Sequence, residues 1–364
     1  MTLSLYIARR FMGMLAKVLG VFVGIMMLIE TLDQMRRFSD QGVGLAQAAQ
    51  LAALNVPTNL YRILPLIMIL TSIALFLGLA RSSELVVVRA AGRSGLRFLV
   101  TPVVCALAVG ALSVAVMNPF VAATSKAYSA LYTKYQSGSA SVLSVSADGL
   151  WLRQGGAEGQ TVIHAARANL DGTVLYGVSF LTFDANGIPQ SRTEATEARL
   201  ITGAWELTDA KRWPLNDANP EAKAVQEALS SLPSDLTRDA IRDSFGTPSA
   251  IPIWELPDYI AGLERAGFSA RNHRVWLQME LALPLLLASM VLVAAGFTMR
   301  HARFGKTGQM VLYALLGGFG MFFLRNFAQV LGENGQIPIY MAAWSPPLAA
   351  TLFAMGLLLH LEDG

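Results

Sequence analysis

A chain of 364 residues with 54% hydrophobic and only 15% charged side chains falls well short of the ~25% charged residues usual in a soluble domain, which excludes an ordinary globular protein and points to a membrane. The net charge of +3 is small and the basic residues are dispersed, so the balance does not call for nucleic acid as a partner. The single cysteine, Cys105, lies in an apolar run and permits no internal disulfide.

Arg9 and Arg10 precede an apolar stretch at 11–32 that is too long for a signal peptide and has no small-x-small cleavage site behind it. It predicts an uncleaved first transmembrane helix. A spanning helix takes ~20 mostly apolar residues. By that measure further spans are predicted at 60–80, 98–117, 275–297, 310–331 and 337–361, giving six in two groups of three.

Residues 118–274, between the third and fourth spans, are too many for a loop and predict a domain. Alternating runs at 150–153, 161–164, 175–183, 199–201 and 205–207 are separated by turn pairs such as Gly155-Gly156, Asp171-Gly172 and Asn186-Gly187. That pattern predicts antiparallel β-structure, a sandwich or jelly roll. It weakens from 217 to 252. Ile253, Leu256, Ile260 and Leu263 then stand at helical spacing and predict an amphipathic helix over 253–266. The expected division is 1–118 for three spans, 119–270 for the β-domain with its flanking helix, and 271–364 for the last three spans.

Lys and Arg in the short loops set orientation. Arg9 and Arg10, then Arg81, Arg89, Arg93 and Arg97, then Arg300, Arg303 and Lys306 all fall on one side of a six-span topology. That side is expected to be cytoplasmic, with both termini. The β-domain and the 332–336 loop are then periplasmic, and so is 33–54, whose Arg36 and Arg37 run against the rule.

Four segments stand out. In 82–92, Ser82 or Ser83 caps a short helix, Glu84 suits its first turn and Gly92 ends it. At ~8 residues it is too short for independent stability. Either it docks on a cytoplasmic partner or it rests on the membrane surface. At the end of span one, Glu30, Asp33, Arg36, Arg37 and Asp40 form either an anionic-lipid site or a solvated helix end with local ion pairs. Gly20 and Gly24 in span one, and Gly317, Gly318 and Gly320 in span five, permit close helix approach, to a second subunit or within the chain. Gly305-Lys306-Thr307 is a basic loop, because the glycine a phosphate-binding loop needs five places earlier is Arg300 and a span precedes it.

Enzyme signals are absent. His164, His273, His301 and His360 are scattered, without metal-ligand spacing, and no Gly-x-Ser-x-Gly elbow occurs. No cofactor, metal or catalytic residue is expected.

The segment 79–92, Leu-Ala-Arg-Ser-Ser-Glu-Leu-Val-Val-Val-Arg-Ala-Ala-Gly, resembles the signature after span two of the lipopolysaccharide export permeases, the LptF/LptG family. Leu32-Asp33-Gln34-Met35-Arg36-Arg37 resembles the end of that family's first span. Gly335-Gln336-Ile337-Pro338 and Ala342-Ala343-Trp344-Ser345-Pro346 resemble the approach to span six on the LptG side. The likeness covers most of the chain; in the middle domain it is one of position and pattern.

The resemblance implies an α-helical membrane protein of six helices in two three-helix halves, with a periplasmic jelly-roll-like domain inserted between them. It implies a permease subunit of an ATPase-driven exporter that takes lipopolysaccharide from the outer leaflet of the inner membrane. The implied partners are the homologous permease LptF, an LptB ATPase dimer, LptC, and an LptA bridge reached through the β-domain. It makes Glu84, Leu85, Val88 and Arg89 the ATPase-coupling residues. Arg36 and Arg37, with Lys126 and Lys134 beyond span three, become a rim for the lipid head. Burial logic adds apolar faces of spans one and five as the cavity wall, including Phe322 and Phe323. Two positions depart from the family pattern, which often carries basic residues where this chain has Glu30 and near Glu280. Two other readings compete. A secondary transporter would want matched broken spans and midplane charges, which Lys17, Pro65 and Arg325 do not supply. A membrane scaffold would use the β-domain to hold a periplasmic protein.

Overall fold

The structure is a computed structural model that describes residues 2–39, 43–82, 84, 94–136, 144–146, 149–156, 159–169, 172–184, 186–217, 219–234, 236–237, 241, 248–265, 269–299 and 307–362. The chain divides into two compact units: residues 1–135, 249–254 and 271–364 form one, and residues 136–248 and 255–270 the other.

The first unit is helical. Helix α1 (Thr2–Arg37) has 36 residues, about 54 Å at ~1.5 Å per residue, and outruns a ~30 Å hydrocarbon core. Helix α2 (Leu45–Arg62) arises where the sequence offered a loop up to 54, and it takes the first residues, 60–62, of the predicted second span. Its buried Ala48, Leu51, Ala52 and Val56 recur at helical spacing, but the small alanines gave the stripe little hydropathic weight. At Ile63 the chain turns, and Pro65 in the first turn of α3 (Leu64–Arg81) is where proline is tolerated. Helix α4 (Gly95–Leu112) starts at Ser94, whose Oγ accepts the Arg97 N–H at 3.2 Å. A π-helical turn, Ser113–Met117, carries it into α5 (Asn118–Gln136), so the third span continues well past its expected end at 117. The remaining spans are α7 (Arg271–Thr298), α8 (Thr307–Glu333) and α9 (Ile339–Glu362). Among the described residues six helices are long and apolar enough to cross a membrane.

Helix α7 is the centre of this unit. It packs against α3, α4, α8 and α9, and 78% of its apolar window is buried. The two groups of three helices therefore meet through span four. Small residues make this possible. A Cβ on Gly110 would strike the backbone of Pro284, and one on Gly318 would strike Ile69. At the other extreme, only 6% of the α1 window and 17% of the α8 window are buried.

The second unit is a seven-stranded antiparallel sheet: β1 (Ser144–Ser146), β2 (Gly149–Gly156), β3 (Gly159–Ala168), β4 (Val174–Asp184), β5 (Pro189–Ile201), β6 (Ala204–Pro214) and β7 (Val225–Pro233). Helix α6 (Leu256–Arg265) belongs to the same unit, starts three residues later than predicted, and buries Leu256, Ile260 and Leu263. Each strand pairs with its chain neighbours. The inserted antiparallel β-domain is present, and its described strands connect as a meander, without the crossover that jelly-roll connectivity would require. The turns explain this local pairing. Asp184 Oδ1 accepts the N–H groups of Asn186 and Ile188 at 2.9 and 2.8 Å, while Gly187 takes φ +80°. Gly203, at φ +82°, closes the β5–β6 turn. One face is apolar: Ile163, Ala165, Phe180, Trp205 and Leu207 are buried, with the Phe180 and Trp205 rings 6.3 Å apart. Strand β7 is mostly exposed and ends the sheet.

Candidate functional site

Glu84 follows the end of α3 closely. Its carboxylate accepts from Arg10 Nη1 at 2.5 Å, from Ser82 Oγ at 2.8 Å and from the Tyr6 hydroxyl at 3.1 Å. Arg10 also donates to the Tyr6 hydroxyl at 2.7 Å. The start of α1 thus clasps the residue that follows α3. Burial works to raise the Glu84 pKa, but the hydrogen bonds from Arg10, Ser82 and Tyr6 outweigh it and hold the carboxyl below its ordinary value. A depressed carboxylate pKa means the contact is fully present above the ordinary carboxylate range and is lost only as pH falls through the folded value. Leu85, Val88 and Arg89 lie outside the described residues, as does the rest of the short helix after Glu84.

At the other end of α1, Arg36 is exposed. Arg37 pairs with Asp33 one turn back at 3.1 Å and donates to the Tyr132 hydroxyl at 3.4 Å. Phe38 packs edge-on against Tyr132 at 5.2 Å, and Gln34 donates to the Tyr128 hydroxyl at 3.0 Å. These contacts bind the end of α1 to α5, the helix that carries Lys126 and Lys134. Lys126 is exposed; the side chain of Lys134 lies outside the description.

Glu30 is fully occupied by neutral donors. Gln34 Nε2 reaches it at 2.8 Å, Asn55 Nδ2 at 2.6 Å and Asn59 Nδ2 at 3.2 Å. Asn55 and Asn59 are one turn apart on α2, so one face of that helix supplies both amides. An acid at this position therefore needs no arginine to hold it. Glu280, only 1% exposed on α7, accepts from the Tyr61 hydroxyl and from Asn118 Nδ2 at 3.1 Å. Asn118 Oδ1 in turn accepts the Ile253 N–H at 2.8 Å. Burial, followed by the adjacent Glu280 charge, raises the pKa of Tyr61, which keeps its hydroxyl protonated and able to donate. Arg325 on α8 lies within electrostatic reach of Glu280. The sequence reading missed Tyr61, Asn118, Asn55 and Asn59. The available signal was an isolated polar residue in or beside an apolar run, which needs a buried partner.

Two helices leave apolar faces open. On α1, Val21, Ile25, Leu28, Leu32 and Met35 are exposed at alternating spacings of four and three. On the same helix a Cβ at Gly20 or Gly24 would meet nothing within 4 Å. On α8, Leu312, Leu316, Phe319, Phe323, Phe327 and Val330 form a matching stripe. Phe323 is 68% exposed, and Phe322 is partly buried with its ring edge-on to it at 6.2 Å. Gly317 and Gly318, by contrast, face α7 and α3 inside the bundle.

Six spanning helices around a central α7, an inserted antiparallel sheet and two spans with open apolar faces define a multi-pass membrane protein with an inserted β-domain. The family model described as lipopolysaccharide export system permease LptF/LptG matches residues 5–360, so the chain belongs to that family. It is LptG-like. The lipopolysaccharide export system permease protein LptG of Escherichia coli strain K12 is 24% identical over 361 residues, covering 98% of each chain. The LptG of Haemophilus influenzae is 22% identical over 371 residues, covering 100% of this chain and 99% of the other.

Proposed function

We propose that this chain is the LptG-type permease subunit of an ATPase-driven exporter that extracts lipopolysaccharide from the outer leaflet of the inner membrane and passes it to a periplasmic bridge. The permease hydrolyses nothing itself. An LptB dimer docks at the segment that begins with Glu84 and continues through Leu85, Val88 and Arg89. LptF pairs with the open helices, LptC joins the assembly, and the β-domain, in the periplasm, hands lipid towards LptA. Both termini are cytoplasmic.

The observation that carries this reading is the open apolar face on each of α1 and α8. Monomeric soluble proteins rarely expose contiguous apolar patches beyond a few hundred Å². A spanning helix with large open apolar faces meets lipid or a second subunit. Here the α1 face ends in Arg36 and Arg37, and the neighbouring α5 adds Lys126 and Lys134. Apolar wall below and cations above match a lipid with acyl chains and an anionic head. The open Gly20 and Gly24 favour close packing by a second helix on the same side.

Two expected results follow. Arg36→Glu with Arg37→Glu reduces photocrosslinking of lipopolysaccharide to α1 by about tenfold, because charge-assisted contacts to phosphate are lost and like charges replace them. The fold survives, since the exposed Arg37–Asp33 pair contributes at most ~1 kcal/mol. Unchanged crosslinking returns this cluster to a solvated helix end. Gly20→Val with Gly24→Val leaves the chain's own thermal stability within ~0.5 kcal/mol, because no side chain is near either position. The same change disrupts co-purification of LptF; intact association shows that the partner sits elsewhere.

Mild-detergent purification of the tagged chain from its native membrane, with mass spectrometry of what accompanies it, tests the whole reading. A stoichiometric ATPase, a second six-span protein and bound lipopolysaccharide support it. A chain that emerges alone with bulk phospholipid defeats it and favours a secondary transporter or scaffold.

A further inference from the structure

Beside Glu280 the helical unit contains a cleft of ≈260 Å³ walled by α2, α5, α7 and α8. Its lining is unusual for membrane-spanning helices because hydrogen-bond donors outnumber acceptors. Arg62 and Arg325 both line it; Arg325 feels the attraction of Glu280 more than the repulsion of Arg62. Among the described residues neither guanidinium has a hydrogen-bond acceptor or a salt bridge. Two further donors in the lining, Thr58 Oγ1 and Trp276 Nε1, are buried with no partner. The one acidic group among the described lining residues, Glu280, is already engaged by Tyr61 and Asn118. With Glu280 ionised the cleft keeps one net positive charge.

Buried donors without acceptors are costly, and an unpaired guanidinium in a span more so. One occupant resolves all of them: a compact anion with several acceptor oxygens. A phosphoryl group fits the planar fork of Arg and can bridge two guanidiniums. The volume lies below the ~300–1,000 Å³ of sites that enclose a drug-sized ligand, so the cleft takes a head group and not a whole lipid. Depth points the same way. Arg62 sits just ahead of Leu64, where the second span begins, and Arg325 lies eight residues before the end of α8. That is close to the end of the spans, where lipid phosphates lie.

We propose that the cleft between α2, α5, α7 and α8 binds the phosphoryl head of an anionic membrane lipid, held by Arg62 and Arg325 with Trp276 and Thr58 as further donors. This site is separate from the Arg36–Arg37 rim and holds whether or not the chain exports lipopolysaccharide. Glu280 tunes it by cancelling one of the two cationic charges.

The test uses the purified full chain in phosphatidylcholine nanodiscs and compares retention of phosphatidate with that of diacylglycerol, which lacks only the phosphoryl group. Wild type retains phosphatidate selectively. Arg325→Gln weakens this by about tenfold or more, equivalent to one charge-assisted hydrogen bond. Arg62→Gln, at the exposed rim where folding is unaffected, acts in the same direction. Glu280→Gln strengthens retention, since it removes the competing negative charge while the amide oxygen still accepts from Tyr61 and Asn118. Equal retention of the two lipids overturns the proposal. So does wild-type retention in Arg62→Gln, or weaker retention in Glu280→Gln. Displacement of phosphatidate by millimolar inorganic phosphate shows that free phosphate is the occupant, and overturns the lipid assignment.

Discussion

Glu84→Lys is expected to uncouple the chain from its ATPase while all six spans still insert. The Arg10–Glu84 pair is about one-third exposed on both sides (32% and 33%), so within this chain it contributes at most ~1 kcal/mol. Reversing the charge leaves the apolar spans and the α7 core untouched. At a desolvated contact with a partner the same change is far larger. Removing one member of a buried, hydrogen-bonded charge pair costs about 2–5 kcal/mol, or at least ~30-fold in affinity. Co-purification of the ATPase and its stimulated turnover in nanodiscs provide the readout. A charge swap separates the two roles. Arg10→Glu with Glu84→Arg restores the pair inside the chain with reversed polarity, and coupling stays lost if Glu84 meets the ATPase. Restored coupling assigns Glu84 to its bond with Arg10 alone and rejects the docking reading.

The second large effect is expected at Asn118. Asn118→Leu removes the donor to Glu280 and the acceptor for the Ile253 N–H in one step. The replacement is similar in volume, so the loss is one of pairing. A carboxylate 1% exposed then keeps a single hydrogen-bond donor, Tyr61, and a buried backbone N–H keeps none. Each orphaned group costs about 1–3 kcal/mol, more where charge is involved, which sets the expected loss at about 3–5 kcal/mol. Thermal unfolding of the purified chain should show a clear drop in midpoint. Asn118→Leu with Glu280→Leu should recover much of it, because replacing all the partners by apolar groups is far cheaper than orphaning one. A single variant as stable as wild type would mean that Glu280 is held by Tyr61 and Arg325 without Asn118.

Glu30 and Glu280 share a physical logic. Both are acids in or at the ends of spans, and each is held by neutral donors from a neighbouring helix. Two of the three donors at Glu30 come from α2, and α2 also supplies Tyr61 to Glu280. This one short helix, between the first two spans, serves both acids. That accounts for its place in the fold beyond simple connection.

What the sequence determined by itself is what depends on local pattern. Bilayer thickness fixes the length of an apolar run, so all six spans were legible from hydropathy. Strand alternation and Gly-containing turns fixed the inserted antiparallel sheet, because pleat period and positive-φ positions are local properties. Tertiary structure alone decided which charges find partners. The clasp of Glu84 by Arg10 spans 74 residues, and the bond from Asn118 to Glu280 spans 162. No spacing along the chain encodes such pairs, since they follow from how helices pack side by side. Packing likewise decided that α7 is central and that α1 and α8 stay open. The apolar runs of all these helices read alike; the small residues that admit close neighbours, such as Gly110 against Pro284, separate buried from exposed spans only when the facing helix is known.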